Sequence, residues 1–267
     1  TYILGKILNK FMKPIFNVPG ESAIAIILGT ISGYPVGAKV VCNLKSQKII
    51  SKIEAERLIA YTNNSGPLFI LGTVGIALFG DKKVGFILLI SHILASLMVA
   101  YCFKFWKKDK FDINYRETQF NSKLTPMKIS DIGEILGSSI KKAISTILLI
   151  GGFIVIFSVI LSILETSGIL NLFANILSNF GIPNNISLSV ISGIIELTNG
   201  VNLTALIATS NYTLSLLLTS FLLGFGGISV LLQVYSIIVK ENISIKPYLL
   251  GKLLQGIFSV IFTFILI

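Results

Sequence analysis

The sequence is poor in the residues from which metal and disulfide sites are built. Its 267 residues include two cysteines, Cys42 and Cys102, and one histidine, His92. A structural zinc site takes about four cysteine or histidine ligands, so the composition argues against one, and no C-x-x-C pair indicates a disulfide framework. The motifs of serine hydrolases, zinc proteases and P-loop nucleotide hydrolases are missing as well. We therefore expect neither an enzyme nor a bound cofactor.

Charged residues are also scarce, at 13% of the chain, whereas a soluble domain carries about 25%. Hydrophobic residues make up 53%, and the mean hydropathy is +0.85. A chain this apolar cannot cover itself with polar surface, so the composition predicts a polytopic integral membrane protein in contact with lipid. The net charge of +10 then belongs to cytoplasmic loops, which collect Lys and Arg, rather than to a nucleic-acid-binding surface.

Basic residues concentrate near the start and in the middle of the chain. Three lysines among apolar residues at helical spacing in residues 1–20 predict an interfacial helix that Pro14 and Pro19 end. Nine lysines and arginines against five acids in residues 104–142 predict a basic cytoplasmic loop. The chain begins at Thr1 rather than at Met and stops within an apolar run, so we expect a fragment of a longer protein.

Two apolar segments are interrupted in a way that a plain membrane-spanning helix would not tolerate. Residues 22–42 contain three glycines and Pro35 near their middle, and residues 185–203 contain the run ISGIIELTNG. Glycine and proline destabilise a helix interior, and non-helical backbone is tolerated at membrane depth only where protein or a cavity surrounds it. Both segments are therefore predicted to be re-entrant helical hairpins.

Two further uncharged segments contain a break. The run TNNSGP interrupts residues 58–80, and GFGG at 224–227 interrupts residues 211–239. Broken helices expose unpaired backbone donors and acceptors at their inner ends, where anions or cations can bind. The plainer alternative for the first segment is a proline kink patched by neighbouring polar side chains.

Hairpin, connector and broken helix occur twice in the same order. Ile-Ser-Gly at 31–33 recurs at 191–193, and Gly66 in the first break is matched by Gly226 in the second, each 160 positions later. A repeat of this kind predicts two structurally similar halves.

The number of crossings between the hairpins predicts their relative orientation. Three predicted spans separate them, so the hairpins enter from opposite sides while the basic segments share one face. The predicted fold is an all-α polytopic membrane protein with an inverted repeat, two re-entrant hairpins and two broken helices. Its halves are residues 1–103 and 143–267, joined by the basic loop. The three spans are 58–80, 84–103 and 143–164, and a further span begins at residue 248.

Inverted repeats with paired broken helices are typical of secondary transporters, which bind their substrate near the bilayer midplane. The hairpin tips and the breaks are therefore the predicted substrate-binding positions. The candidates are Ser32, Gly33, Tyr34, Pro35, Lys39, Asn63, Asn64, Ser65, Gly66, Ser192, Gly193, Glu196, Thr198, Asn199, Gly226, Gly227 and Gln233.

Three ionisable residues within apolar segments each admit two interpretations. Glu196 can carry a coupled proton at membrane depth, or it can lie near the interface where water reaches it. Lys39 can bind an anionic group of the substrate, or it can extend to the basic face, as long lysine side chains often do. His92, in the middle of a span, is more typical of a contact between helices than of a proton relay.

Two runs of residues resemble a known family. GTISGYPVGAK at 29–39 and TNNSGPLFILGTVG at 62–75 are similar to the YlbJ (SpoVV) family of sporulation integral membrane proteins, and GFGG at 224–227 fits it too. The resemblance covers most of the chain. The family has further N-terminal membrane segments, which agrees with the expectation of a fragment.

This resemblance implies a membrane protein of spore-forming Firmicutes, of the nucleoside-recognition Gate type and similar in architecture to concentrative nucleoside transporters. It also implies movement of dipicolinic acid, a small aromatic dianion, across the outer forespore membrane toward the spore. Helix N-termini at the breaks, together with Lys39, would suit the two carboxylates. The expected partners are this small anion and the lipid bilayer, with localisation in the outer forespore membrane or the cell membrane, and an oligomer is possible.

Two alternatives remain open from the sequence. A carrier of the same fold can take a nucleoside or another metabolite, and the coupling ion is not determined by the sequence. A non-transporting scaffold can instead recruit sporulation proteins through residues 104–142.

Overall fold

The computed structural model describes residues 2–107 and 129–267, and every regular element in these two ranges is helical. Four helices there are long and apolar enough to cross a membrane, and a fifth span results if one strongly bent pair is counted as one. The predicted all-α polytopic membrane protein is thus confirmed. The four spans are Lys82–Phe103, Ile132–Thr166, Tyr212–Glu241 and Lys246–Leu266.

The first helix, Tyr2–Phe16, is longer than predicted. Pro14 lies inside it, so the prediction that Pro14 ends the helix is wrong. Because Pro14 is in the last turn, it costs one backbone hydrogen bond without stopping the helix. The chain turns at Asn17, whose φ is 55°, and the axis then bends by 89° into the segment Gly20–Ile31.

Two helical hairpins occur at the two predicted places, where the apolar segments are interrupted. The first hairpin consists of Ala23–Ile31 and Val36–Ser46, joined by a four-residue tip in which Gly33 has a φ of 79°. The second hairpin consists of Asn184–Ile195 and Leu197–Ile207, joined by the single extended residue Glu196. The side of the membrane from which each hairpin enters, and hence the inverted repeat, stays a prediction.

The two predicted breaks differ in kind. Residues 60–68, called the first break below, separate the helix Lys52–Ile59 from the π-helix Phe69–Leu78. The second break, Gly226–Gly227, has positive φ at both glycines but does not divide Tyr212–Glu241 into two spans.

Half of the predicted basic loop cannot be compared, because residues 108–128 lie outside the described residues. Residues 129–142 were predicted to be part of the loop. They instead form the first part of the helix Ile129–Thr166. The apolar residues of this helix recur at helical spacing among its lysines, which is a signal for a helix. The loop prediction was wrong because it rested on the number of basic residues and not on this spacing. This helix is followed by the short apolar helix Ile169–Ser178.

Buried charged residues hold the helix ends on one side of the bundle together. Arg57 donates from Nε to the Trp106 carbonyl oxygen at 3.0 Å and from Nη1 to the Asn17 carbonyl oxygen at 2.9 Å. Glu56 accepts from Lys107 Nζ at 2.9 Å and from the Trp106 indole at 3.2 Å. Because a guanidinium group donates in a fixed fork, Arg57 can bind two chain segments at once. It thereby fixes their positions relative to the helix Lys52–Ile59, which leads into the first break.

Candidate functional site

The first break forms the centre of a buried polar cluster. Thr62, Asn63, Asn64 and Ser65 are each at most 1% exposed although none of them is helical. Asn64 donates from Nδ2 to the Tyr61 carbonyl oxygen at 2.9 Å, so its side chain pairs one of the backbone groups that the missing helix leaves free. Non-helical backbone is thus surrounded by protein here, as membrane depth requires.

A chain of hydrogen bonds connects the break to two long helices. Lys252 Nζ donates to Gln255 Oε1 at 2.8 Å, and Gln255 Nε2 donates to Asn64 Oδ1 at 2.8 Å. The same Gln255 nitrogen lies 3.3 Å from His92 Nε2, which also accepts from the Ser65 backbone N–H at 3.2 Å. Two donors therefore face Nε2, so we assign the ring proton to Nδ1, which has no hydrogen-bond partner among the described residues.

Further contacts place this cluster at mid-height in the bundle. Asn63 Nδ2 donates to the Tyr248 hydroxyl at 3.3 Å, and Ser65 Oγ donates to the Leu223 carbonyl oxygen at 3.2 Å. His92 and Gln255 each lie midway along their own spanning helix. Through Asn64 and Ser65 the first break thus contacts the middle of two long helices, and through Asn63 it contacts Tyr248 near the start of one of them.

Each hairpin tip packs against a break. A Cβ on Gly33 would lie 3.0 Å from the Gly66 backbone nitrogen, so the first tip contacts the first break. A Cβ on Gly227 would lie 2.8 Å from the Gly193 carbonyl oxygen, so the second hairpin contacts the second break. In the sequence repeat, Gly33 corresponds to Gly193 and Gly66 corresponds to Gly226. The contact of Gly33 with Gly66 therefore has a counterpart in the contact of Gly193 with Gly227, one position from Gly226.

Both hairpins contribute to one apolar cluster beside the first break. Tyr34, at the first tip, packs against this cluster, which includes Leu197, the residue after the second tip.

Glu196 is 2% exposed and caps the helix that follows it. Its carboxylate accepts the backbone N–H groups of Thr198 at 3.1 Å and Asn199 at 2.9 Å, and both side chains donate to it as well. A carboxylate at a helix N-terminus is stabilised by the unpaired N–H groups and by the helix dipole. Glu196 is buried rather than water-exposed, and its role in carrying a proton stays a prediction.

Several buried polar atoms at the site have no hydrogen-bond partner among the described residues. They include Asn63 Oδ1, Thr62 Oγ1 and His92 Nδ1. Buried polar groups are normally paired, so a concentration of unpaired donors and acceptors in one cluster is typical of a place that binds a ligand.

The structure gathers only some of the candidates in one place. Gly33, Tyr34 and the break residues meet at the first tip. Ser32 instead is exposed, and Lys39 donates to Thr146 on the long helix Ile129–Thr166 at 2.6 Å. Asn199 contacts the same helix through Ser158 at 3.0 Å. The remaining candidates, all buried, are Pro35, Ser192, Gly193, Gly226, Gly227 and Gln233.

Besides Thr62 and His92, three residues of the cluster are not among the sequence candidates: Tyr248, Lys252 and Gln255. All three lie on one helix, Lys246–Leu266, and are at most 3% exposed. Lys252 is a single charge within an apolar run and has a glutamine three residues later, which is the spacing of neighbours on one helix face. This signal was present in the sequence.

Comparison with known proteins identifies the family. The chain is 34% identical, over an alignment of 282 residues, to the sporulation integral membrane protein YlbJ of Bacillus subtilis. The alignment covers 98% of this chain and 68% of that protein. No family model and no solved structure matches the chain. Identity at this level over almost the whole chain shows that the protein belongs to the YlbJ family of sporulation integral membrane proteins.

Proposed function

We propose that this protein is a secondary transporter of a small anion, and that the anion is dipicolinate. In this proposal the protein acts in the outer forespore membrane and moves dipicolinate from the mother cell toward the spore. The fold is then an inverted repeat of the kind found in concentrative nucleoside transporters. Membership of a sporulation membrane protein family supports the setting, and the buried polar cluster supports the activity.

One observation carries the proposal: the first hairpin tip and an unwound segment meet at a buried polar cluster between spanning helices, while the second hairpin packs against the second break. Gly33 packs on the first break, and Gly227 of the second break packs on Gly193 of the second hairpin. A membrane protein that needed only stability would have little reason to bury the run Thr62–Ser65 without helical hydrogen bonds. Broken helices at the midplane provide backbone donors for a substrate and a pivot for alternating access.

Uptake into proteoliposomes that contain the full-length protein tests this proposal. We expect saturable uptake of labelled dipicolinate that excess unlabelled uridine does not reduce. Uptake that uridine blocks would instead identify a nucleoside carrier of the same fold. If folded protein takes up neither compound, transport is rejected, and the scaffold alternative predicts that deletion of residues 108–128 abolishes sporulation.

Glu196→Gln tests whether the second tip couples transport to protons. Glutamine keeps one oxygen to accept the N–H groups of Thr198 and Asn199, but it cannot take up a proton. We expect the variant to lose accumulation driven by a pH gradient by about tenfold or more, while exchange of labelled for unlabelled dipicolinate continues. Glu165→Gln, at the exposed end of the long helix, is the matched control. Equal pH-driven accumulation in Glu196→Gln and the wild type would rule out this role.

A further inference from the structure

Lys252 is a buried lysine without an acidic partner among the described residues. It is 3% exposed, and no carboxylate oxygen of the described residues lies within 4.0 Å of its Nζ. An ammonium group has three N–H donors, and Gln255 Oε1 is the one hydrogen-bond acceptor that the described residues offer it. The Tyr248 ring, with its centroid 5.9 Å from Nζ, adds a weaker cation–π contact. At membrane depth an unpaired lysine is costly and is typical of a functional site.

The carboxylates on the neighbouring helix and at the second tip are already engaged. Glu196 is surrounded by the N–H and O–H groups of Thr198 and Asn199. Glu56, on the helix Lys52–Ile59 that packs against the Lys252 helix, pairs with Lys107. Glu54 on that helix belongs to a capping box with Ser51. The protein therefore supplies no anion to Lys252 from the described elements around it.

Lys252 does not extend to the membrane surface either. It lies six residues after the start of its helix, so the nearer aqueous face is on the side of Lys246. Its Nζ instead contacts Gln255, one turn further into the bundle. A lysine that only avoided lipid would reach toward water. Here Gln255 holds the ammonium group toward the first break, through its own hydrogen bond to Asn64.

We propose that Lys252 binds a carboxylate group of the substrate, with Gln255 and Asn64 fixing the position of its ammonium group. This inference rests on the proposed transport function and assigns a residue and a chemical class to its site. The ligand is a small organic carboxylate that binds beside the first break. The bound carboxylate supplies the negative charge that the protein does not provide at Lys252.

Binding to the full-length protein in nanodiscs, measured by ligand-induced thermal stabilisation, tests this assignment separately from transport. The probes are dipicolinate, picolinate with one carboxylate, and the neutral pyridine-2,6-dicarboxamide. The variants are Lys252→Met, Lys252→Gln and, as a matched loss of charge at an exposed position of the same helix, Lys246→Met. Lys252→Gln is the second variant in case Lys252→Met does not fold.

We expect both carboxylates, but not the diamide, to stabilise the wild type and Lys246→Met. In either Lys252 variant the affinity for the carboxylates falls by about tenfold or more. Equal affinity in the wild type and the variants overturns the assignment even if dipicolinate is transported. If the wild type binds picolinate but not dipicolinate, and the Lys252 variants lose picolinate binding, Lys252 remains the anion site and dipicolinate is rejected as the substrate. A wild type that binds no carboxylate overturns the anion site, and uptake alone then decides transport.

Discussion

Replacing Gly33 by alanine is expected to lower dipicolinate uptake by about tenfold or more, whereas replacing Gly168 leaves it nearly unchanged. Both glycines have a left-handed backbone, with φ of 79° and 76°. Alanine therefore costs each position a similar strain of about 1–2 kcal/mol. Comparing the two alanine variants therefore separates the strain of the backbone conformation from the effect of the atoms around the new Cβ.

The surroundings of the two glycines differ sharply. A Cβ on Gly33 would lie 3.0 Å from the Gly66 nitrogen and 3.2 Å from its Cα, both backbone atoms that cannot rotate away. Nothing lies within 4 Å of a Cβ on Gly168. Alanine at Gly33 must therefore push the first tip away from the first break, which changes the shape of the proposed binding site.

Initial uptake rates, normalised to the amount of folded protein in the liposomes, give the measurement. Thermal unfolding of both variants checks that they lose comparable stability. Equal uptake by Gly33→Ala and Gly168→Ala would show that the contact between tip and break is not needed for transport. The proposed site would then have to lie elsewhere in the bundle.

The positions of the hairpins and breaks could be predicted because glycine and proline act locally. Gly33 and Pro35 interrupt an apolar run, and the polar run from Thr62 to Ser65 interrupts another, so each marks its own turn or break. The same rule failed at Pro14, since proline in a last helical turn removes only one hydrogen bond.

The composition of the buried cluster could be predicted only in part. Asn64 and Gln255 are 191 positions apart and Asn63 and Tyr248 are 185 apart, so their contacts depend on tertiary packing. Lys252 is different, since its charge within an apolar run is visible in the sequence. Lysine is common near the beginning of a span, so the charge alone does not identify Lys252 as a site residue, and only its burial distinguishes it.

Among the substitutions proposed for this protein, Gln255→Met is expected to cause the largest loss in the free energy of unfolding. Methionine has nearly the same volume, so the change removes polar contacts rather than packing. It leaves Lys252 without its hydrogen-bond acceptor and Asn64 Oδ1 without its donor. Lysine within a membrane helix costs at most about 2.5–3.5 kcal/mol, the value at the helix centre, and hydrogen bonds between membrane helices contribute about 0.6 kcal/mol on average. We expect a loss of about 2–4 kcal/mol.

The double variant Lys252→Met/Gln255→Met then provides the sharper measurement. If the cost of Gln255→Met comes mainly from the unpaired ammonium group, removal of that group recovers most of the lost stability. The double variant would be more stable than Gln255→Met alone, which gives a large coupling energy in a double-mutant cycle. Gln233→Met is the control, because this buried glutamine has an Oε1 without a partner among the described residues and should lose little.

Thermal unfolding of the four proteins in nanodiscs, without ligand, decides between two roles for Lys252. Additive effects would mean that Lys252 and Gln255 stabilise the fold independently, and the buried lysine would then be an ordinary structural residue. Strong coupling with recovery in the double variant means that the folded protein tolerates the lysine at a cost to its own stability. A protein retains such a residue when binding, rather than folding, requires its charge.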